Sequence, residues 1–288
     1  MTDMGRQTRG GGALRARVFK FLVLLFAAGV AACGGPEKPS PVVSGAADDV
    51  HIPPFARWPY QPFSREAAIQ IAYREWSAFG QPVVYLNTHL PFDNERAEGL
   101  WQRVGEYWWL GLPMGSSADQ NFTGMHNQNG TVFPASRDGD YAWSAAFVDY
   151  VMRMAGAGHR FPYASNHSDY INAARQRSSN WAIGAEPPER YAPQRGDLIC
   201  MWRGRQPVRF EDLPTGRFPS HCDIVVAVRS GALDVIGGNV DNSVSMKQVP
   251  VTADGRLANP DGTVVDPDHP WFVVIRVGYE TGGPAPVS

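Results

Sequence analysis

The feature that most constrains this chain is a central segment, DYAWSAAFVDYVMRMAG, which has the pattern of one buried helix. The segment predicts a helix from Asp140 to Gly156, because its apolar residues recur at the spacing of one helical face. Asp138 or Asp140 is predicted to cap the N-terminus, since a short carboxylate accepts from the first free backbone N–H groups. Gly156 suits the left-handed residue after the last turn. The face predicted to be buried consists of Phe147, Tyr150, Val151 and Met154.

A serine lies in the first turn of this predicted helix, on or beside the apolar face. Ser144 has two interpretations. It is a small residue that permits a tight helix contact, or it is a nucleophile held at a helix N-terminus. The segment alone favours the first, because most serines at such positions only pack. Residues elsewhere in the chain are needed to choose.

The N-terminal part has the pattern of a targeting segment. Residues 1–33 begin with basic residues and continue into an apolar run, Phe21–Ala32, which is shorter than the ~20 residues of a membrane span. Small residues precede Cys33 as in a bacterial lipobox, which predicts lipidation of Cys33; an ordinary signal peptide or a retained anchor is the alternative. The residue after Cys33 is Gly34 and not the aspartate that would resemble an inner-membrane retention signal. This favours the outer membrane, with the protein facing the periplasm. Residues 34–58 are rich in Pro, Gly, Ala and Ser and predict a flexible tether.

Composition and element order predict an α+β fold. The chain is 43% hydrophobic and 19% charged, enough to bury a core, and its net charge of −2 does not favour a nucleic-acid partner. Residues 59–288 are predicted to form one domain, with a helical part (59–135) and a motif-bearing core (136–278). Helical patterns come first and β-rich runs follow, which predicts helices packed on an antiparallel meander. The predicted helices span 64–80, 95–110 and 168–176, the strands 198–202, 221–228, 233–236, 244–251 and 271–277, and a tight bend 237–239.

Two cysteines remain besides the predicted lipidation site, and each lies in a predicted strand. Export permits disulfides. Cys200 and Cys222 are expected to pair if their strands are neighbours, and otherwise to be buried thiols that behave as small apolar residues. Both interpretations stay open from the sequence.

Three polar residues stand where strand ends and the central helix are expected to meet. His221 begins one predicted strand, and Asn239 follows the next. If the helix packs at this end of the sheet, Ser144, His221 and Asn239 supply a nucleophile, a base and an orienting group. A helix N-terminus adds free N–H groups for an oxyanion. As spacing alone this is a weak signal, because any chain of this length offers such triples.

Four short motifs, in order over roughly residues 135 to 277, resemble those of the CHAP and NlpC/P60 amidases, papain-like enzymes of the bacterial cell wall. Trp143–Val148 (WSAAFV) resembles their W-C-A-A-F-V segment, and Arg195–Ile199 (RGDLI) their P-G-D-L strand. His221–Val225 (HCDIV) is similar to G-H-V-A-I-V, and Ile236–Asn239 (IGGN) to the segment with their third polar residue. The resemblance implies a papain-like NlpC/P60-CHAP domain with Ser144 as nucleophile, His221 as base and Asn239 as orienter.

One departure and three supporting residues qualify this resemblance. Serine replaces the family's cysteine, and a hydroxyl ionises far less readily than a thiol. The site is therefore a true serine hydrolase or a domain that lost its chemistry and kept binding. Asp223 shares a strand face with His221 and is either a second orienter or a backbone partner at the sheet edge. His167 is either a cap at a helix entry or a substrate contact, and Trp143 lies next to the serine.

The sequence therefore predicts an exported, lipid-anchored hydrolase that acts on amide bonds of peptidoglycan or related peptides. The alternative is a non-catalytic lipoprotein that binds wall peptides on the same fold. No metal-ligand spacing such as H-E-x-x-H and no glycine-rich phosphate loop occurs, so neither a metal nor a cofactor is predicted.

Overall fold

The computed structural model describes residues 62–84, 94–113 and 118–280. The predicted signal peptide with Cys33, the predicted tether and both ends of the predicted domain lie outside these ranges. No helix within the described ranges has the length and hydropathy to cross a membrane.

Four α-helices and seven strands account for the regular structure of the described residues, apart from short 3₁₀ turns. The helices are α1 (Arg65–Ala78), α2 (Leu100–Gly111), α3 (Ser144–Met154) and α4 (His167–Gln176). The strands are β1 (Val83–Val84), β2 (Ile183–Glu186), β3 (Leu198–Trp202), β4 (Ser220–Arg229), β5 (Ala232–Val240), β6 (Ser243–Pro250) and β7 (Trp271–Val277).

The strands form one mixed sheet in the order β1-β6-β5-β4-β3-β7-β2. β3 to β6 are the predicted antiparallel meander, whereas β7 pairs with β3 instead of extending it. β1 pairs with β6 in parallel, so the sheet is not purely antiparallel as predicted. The α+β class is confirmed. The edge strands β1 and β2 were not predicted, because two and four residues are too short to show an alternating pattern.

The sheet is covered on both faces. Its main core lies between the sheet and the helices and contains α3, whose residues from Ser144 to Met152 are all buried. A second apolar cluster on the other face includes Leu257, contributed by the loop before β7. Because α3 is buried on every side, the prediction of one buried face was too narrow. Its last residue, Met154, was predicted to be buried but is 39% exposed.

A disulfide joins β3 to β4. Cys200 and Cys222 lie directly opposite each other in the strand register, with their Cα atoms 4.1 Å apart. Of the two interpretations left open by the sequence, the structure has the paired one. The bond ties together the two strands that lead to His221 and Asp223, the residues on either side of Cys222.

Candidate functional site

The N-terminus of α3 is free of a side-chain cap. The helix begins at Ser144, and its first hydrogen bond runs from the N–H of Phe147 to the carbonyl of Trp143, at 3.0 Å. The N–H groups of the three residues before Phe147 therefore precede the helical ladder. The prediction that Asp138 or Asp140 caps this helix was wrong, because both belong to a separate 3₁₀ turn. Asp138 binds Arg96 at 2.7 Å, and Asp140 binds Arg137 at 2.8 Å.

The Ser144 hydroxyl is hydrogen-bonded to an imidazole. Its Oγ lies 2.7 Å from Nε2 of His167, the first residue of α4. The other ring nitrogen, Nδ1, is hydrogen-bonded to the hydroxyl of Tyr170, one turn further along the same helix. A tyrosine hydroxyl can accept a hydrogen bond from Nδ1–H of the ring. This leaves the lone pair of Nε2 free to accept the proton of the Ser144 hydroxyl. His167 was predicted as a supporting residue only, and the structure makes it the partner of Ser144.

A second imidazole lies next to the first. The rings of His167 and His221 are 5.3 Å apart between centroids. His221 Nε2 is 2.9 Å from Oδ1 of Asp223, and Lys247 Nζ is 2.6 Å from the other carboxylate oxygen. A carboxylate only accepts, so Nε2 of His221 carries the proton and Nδ1 keeps its lone pair. That Nδ1 is buried and has no hydrogen-bond partner among the described residues.

Burial sets the protonation states of this cluster. It lowers the pKa of His167 well below the ordinary value, and the charge of a protonated His221 would lower it further. Burial also lowers the pKa of His221, although Asp223 opposes this effect. For Asp223, burial alone would raise the pKa, but Lys247 and His221 outweigh it, and the pKa lies well below its usual range. At neutral pH both imidazoles are therefore uncharged and Asp223 is ionised, so two neutral bases lie beside a buried ion pair.

The predicted orienter, Asn239, does not hold His221. No hydrogen bond joins the two residues within the described chain. The hydrogen-bond partner of the His221 ring is Asp223 instead. The reason is the path of β5, because residues 237–239 do not form the predicted bend. The strand continues to Val240 through a register shift, and Asn239 adopts a left-handed backbone (φ 56°) within it. Likewise Ser144 is bonded to His167 and, within the described residues, not to His221; the role of base for His221 stays a prediction.

Two residues of the site were not predicted. Tyr170 had a visible signal, since it lies three residues after His167 in a predicted helix, the spacing at which side chains meet. Lys247 had a weaker signal: it is the one charged residue of the predicted strand 244–251, at a position that alternates with Val249 and Val251. It reaches Asp223 diagonally across β5, because its partner in the register of β5 is Val235, which in turn pairs with Val225 on β4, two residues after Asp223.

Gly237 and Gly238 are required by packing and not by a turn. A Cβ on Gly237 would lie 1.8 Å from Asp223 Oδ1, and one on Gly238 would lie 2.5 Å from the Cβ of Phe147 in α3. The missing side chains thus allow β5 to pass beneath the ion pair and allow α3 to pack on the sheet. Gly238 therefore lets the start of α3 approach β5, and Gly237 leaves the space that Asp223 occupies.

The variant Gly237→Ala is expected to lower the free energy of unfolding by about 2 kcal/mol or more, because Asp223 must move away from His221 and Lys247. Gly184→Ala is the matched control, since a Cβ there meets nothing within 4 Å. Urea titration of both variants measures the difference. Equal stability of the two would contradict the packing role assigned to Gly237.

Trp143 is part of the core. It is 1% exposed, its ring stacks on Phe79 at 6.0 Å, and its indole N–H donates to a Glu95 carboxylate oxygen. Burial raises the pKa of Glu95 to about 7, although the bond from Trp143 opposes this shift. Trp143 therefore anchors the start of α3 in the core. Within the described residues, no hydrogen bond joins it to the Ser144 hydroxyl.

Comparison with known proteins covers the whole of this site. Neither a curated protein nor a solved structure matches the chain. A bacterial protein family matches residues 95–277, a range that runs from α2 to the end of β7 and includes Ser144, His167 and His221. This range is more than half of the chain. The chain therefore belongs to the family described as "Uncharacterized protein conserved in bacteria (DUF2272)".

Proposed function

We propose that this protein is an exported, lipid-anchored hydrolase that cuts amide bonds of peptidoglycan or related peptides through an acyl intermediate on Ser144. The observation that supports this most is the 2.7 Å contact between Ser144 Oγ and His167 Nε2 at an uncapped helix N-terminus. It unites a nucleophile, a neutral base and free backbone donors in one place, which acyl transfer requires.

Each step of this reaction has a group to perform it. Ser144 Oγ attacks the amide carbon while its proton passes to Nε2 of His167. The Tyr170 hydroxyl accepts a hydrogen bond from Nδ1–H and so keeps the ring in place. The N–H groups at the start of α3 stabilise the oxyanion. The imidazolium then gives its proton to the leaving amine as the C–N bond breaks. Water hydrolyses the ester by the reverse use of the same groups, which returns Ser144 to its starting state.

The second imidazole supports the first in this proposal. The negative charge of Asp223 favours protonation of His167 in the step where the imidazolium forms. His221 is adjacent to both: its ring centroid is 5.3 Å from that of His167, and its Nε2 donates to Asp223 at 2.9 Å. A buried carboxylate that stabilises an imidazolium without taking its proton is the role known from serine hydrolases.

The papain-like resemblance and the predicted address belong to the same proposal. The four motifs that resemble CHAP and NlpC/P60 amidases lie on α3, β3, β4 and β5, which are neighbours in the fold. The lipobox-like residues before Cys33 support an outer-membrane anchor facing the periplasm, which places the enzyme beside the cell wall. Peptidoglycan is then the most accessible amide polymer.

Purified protein incubated with purified sacculi tests the proposal, with mass spectrometry of the released fragments. We expect soluble fragments with a new amino group and a new carboxyl group. His167→Gln and His221→Gln are compared in the same assay, and we expect the His167 variant to show the larger loss. Full activity in His167→Gln together with no activity in His221→Gln would assign the base to His221 instead. Intact sacculi after prolonged incubation would refute hydrolysis of this polymer.

A binding protein is the second candidate, and the burial of the cluster favours it. Ser144 is 7% exposed, His167 4% and His221 1%, as in a polar core that only holds the fold together. In that case the protein is expected to co-sediment with sacculi without releasing fragments. Release of fragments by the wild-type protein, and not by a Ser144 variant, would exclude it.

The pH dependence of hydrolysis follows from the lowered pKa values of both histidines. A neutral imidazole accepts the serine proton and a charged one does not, so activity is lost as the pH falls through the pKa of the folded protein. Burial places that pKa below the ordinary value of about 6.5. The acidic limb of kcat/KM against pH is therefore expected below about pH 6.5. A limb at or above that value would contradict a buried neutral base.

A further inference from the structure

The insertion between β3 and β4 forms a pocket that opens to solvent. It lies at the end of these strands that carries His221. Its cavity has a volume of about 620 Å³ and is lined by residues from Arg203 to Pro219. Three of the lining residues are arginines, namely Arg203, Arg205 and Arg217, and Asp212 is the only acidic one. A cavity of this size accommodates a short peptide segment.

The pocket begins where the strands that carry the site end. The last paired residues of β3 and β4 are Trp202 and Ser220, and the next residue of β4 is His221. Directly beyond this pair, the N–H of Arg203 donates to the carbonyl of Pro219 at 2.7 Å and closes the base of the insertion. A ligand in the pocket therefore lies at the strand ends next to His221.

The pocket is also fastened to α4, the helix that begins with His167. The Arg217 guanidinium binds both carboxylate oxygens of Asp169 at 3.1 and 2.8 Å. Asn172 exchanges two hydrogen bonds with the backbone of Thr215, at 2.8 and 3.0 Å. The pocket thus borders both of the elements that supply an imidazole.

Positive charge is in excess in the lining of this pocket. Arg217 is paired with Asp169, and Asp212 accepts from the backbone N–H of Arg209 at 2.8 Å, so one carboxylate is left against the two guanidinium groups of Arg203 and Arg205. Arg203 and Arg205 are exposed, and neither forms an ion pair within the part of the chain that the structure describes. Burial is the main cause of the lowered pKa values of His167 and His221, and the charge of Arg203 contributes to both, so it lies within electrostatic reach of the site.

We propose that this pocket binds a carboxylate of the peptide whose amide bond is cut at Ser144, through Arg203 and Arg205. The inference rests on the proposed function and adds a substrate class to it, namely acidic peptides with a free carboxylate close to the cut bond. The planar guanidinium fork matches a carboxylate in two parallel hydrogen bonds, and an arginine without a partner has these donors available. The pocket then selects the peptide, while the cluster of Ser144 and His167 performs the chemistry.

Calorimetric titration of the full chain carrying Ser144→Ala tests this binding without turnover. The probes are an acetylated alanine–glutamate–alanine peptide with free carboxylates and its neutral analogue with glutamine and a terminal amide. We expect the acidic peptide to bind at least about tenfold more tightly, and the advantage to shrink as ionic strength rises. Adding Arg203→Gln and Arg205→Gln together is expected to remove the difference. Arg190→Gln together with Arg137→Gln removes two charges from exposed side chains that are not among the lining residues, and is the matched control.

The proposal is overturned if the acidic peptide does not bind, if both peptides bind equally, or if the double arginine variant keeps the preference. Its failure is distinct from failure of the proposed function, which is measured by the release of fragments from sacculi. Fragments released by wild-type protein together with equal binding of the two peptides would leave the hydrolase standing without this pocket. Selective binding without release of fragments would leave the pocket standing on a binding protein.

Discussion

Replacing Ser144 by alanine is expected to lower amide hydrolysis on sacculi at least about a thousandfold while the fold stays intact. In the proposed mechanism the variant removes the attacking atom, and the oxyanion donors and binding groups that remain supply the residual rate. The lost hydrogen bond to His167 costs about 1 kcal/mol of stability, so the protein still folds. The measurement is the rate of fragment release, together with circular dichroism of the variant.

Two companion variants make the Ser144 result specific. Ser179→Ala makes the same chemical change at an exposed serine after α4 and is expected to leave the rate unchanged. Ser144→Cys is expected to retain hydrolysis, since a thiol loses its proton more readily than a hydroxyl beside His167. Unchanged turnover in Ser144→Ala would remove this residue from the mechanism, whatever the other two variants do.

The second large effect concerns the buried ion pair. Lys247→Met is expected to lower the free energy of unfolding by about 3 to 5 kcal/mol at neutral pH, because Asp223 is left buried without its ammonium partner. Both side chains are nearly inaccessible, at 5% and 0% exposure, so water cannot replace the lost contact. Gln248→Met, at the exposed next position of β6, is the matched control; it removes only a 3.3 Å hydrogen bond from the Gln248 amide to Asp234 and is expected to change stability by about 1 kcal/mol or less.

The pH dependence separates the charge of Lys247 from its packing. The lowered pKa of Asp223 stabilises the folded protein above the unfolded pKa of about 3.9, and this contribution is lost as the pH falls from there towards the folded pKa. The difference in unfolding free energy between wild type and Lys247→Met should therefore shrink below about pH 4. Urea titrations at about pH 3 and pH 7 would measure it. A gap of the same size at about pH 3 and pH 7 would assign the loss to packing. The double variant Lys247→Met/Asp223→Leu, which removes the orphan charge, is expected to recover most of the stability.

Elements with strong local signals were predicted well. Ser64 caps α1 by accepting from the N–H of Ala67 at 3.2 Å, at the predicted start of the helix over residues 64–80, and β3 and β7 have the predicted bounds. Gly156 has the expected left-handed backbone (φ 94°) after α3. These features depend on residues a few positions apart, so a local pattern contains the information. The start of α2 was predicted at Glu95, whereas the helix begins five residues later, at Leu100. Glu95 lies outside the helix, and its carboxylate accepts a hydrogen bond from the Trp143 indole.

The candidate site was predicted in part. The sequence placed Ser144 at the start of a helix, His221 on a strand and Asp223 on the same strand face, and the structure places all three in one cluster with His167. What it did not predict is which imidazole meets the serine. That depends on how α4 packs against α3 and β4, and the hydrogen bond spans 23 positions of the chain.

By itself, the sequence determined the α+β class, most of the helices and strands, and several residues of the candidate site, because periodicity, caps and strand patterns are local. Only the tertiary structure decided the pairings: His167 with Ser144, Asp223 with His221, and Lys247 with Asp223 across β5. Such pairings arise where separate elements approach within about 3 Å, and that approach depends on the packing of the whole core, including the two glycines that make room for it.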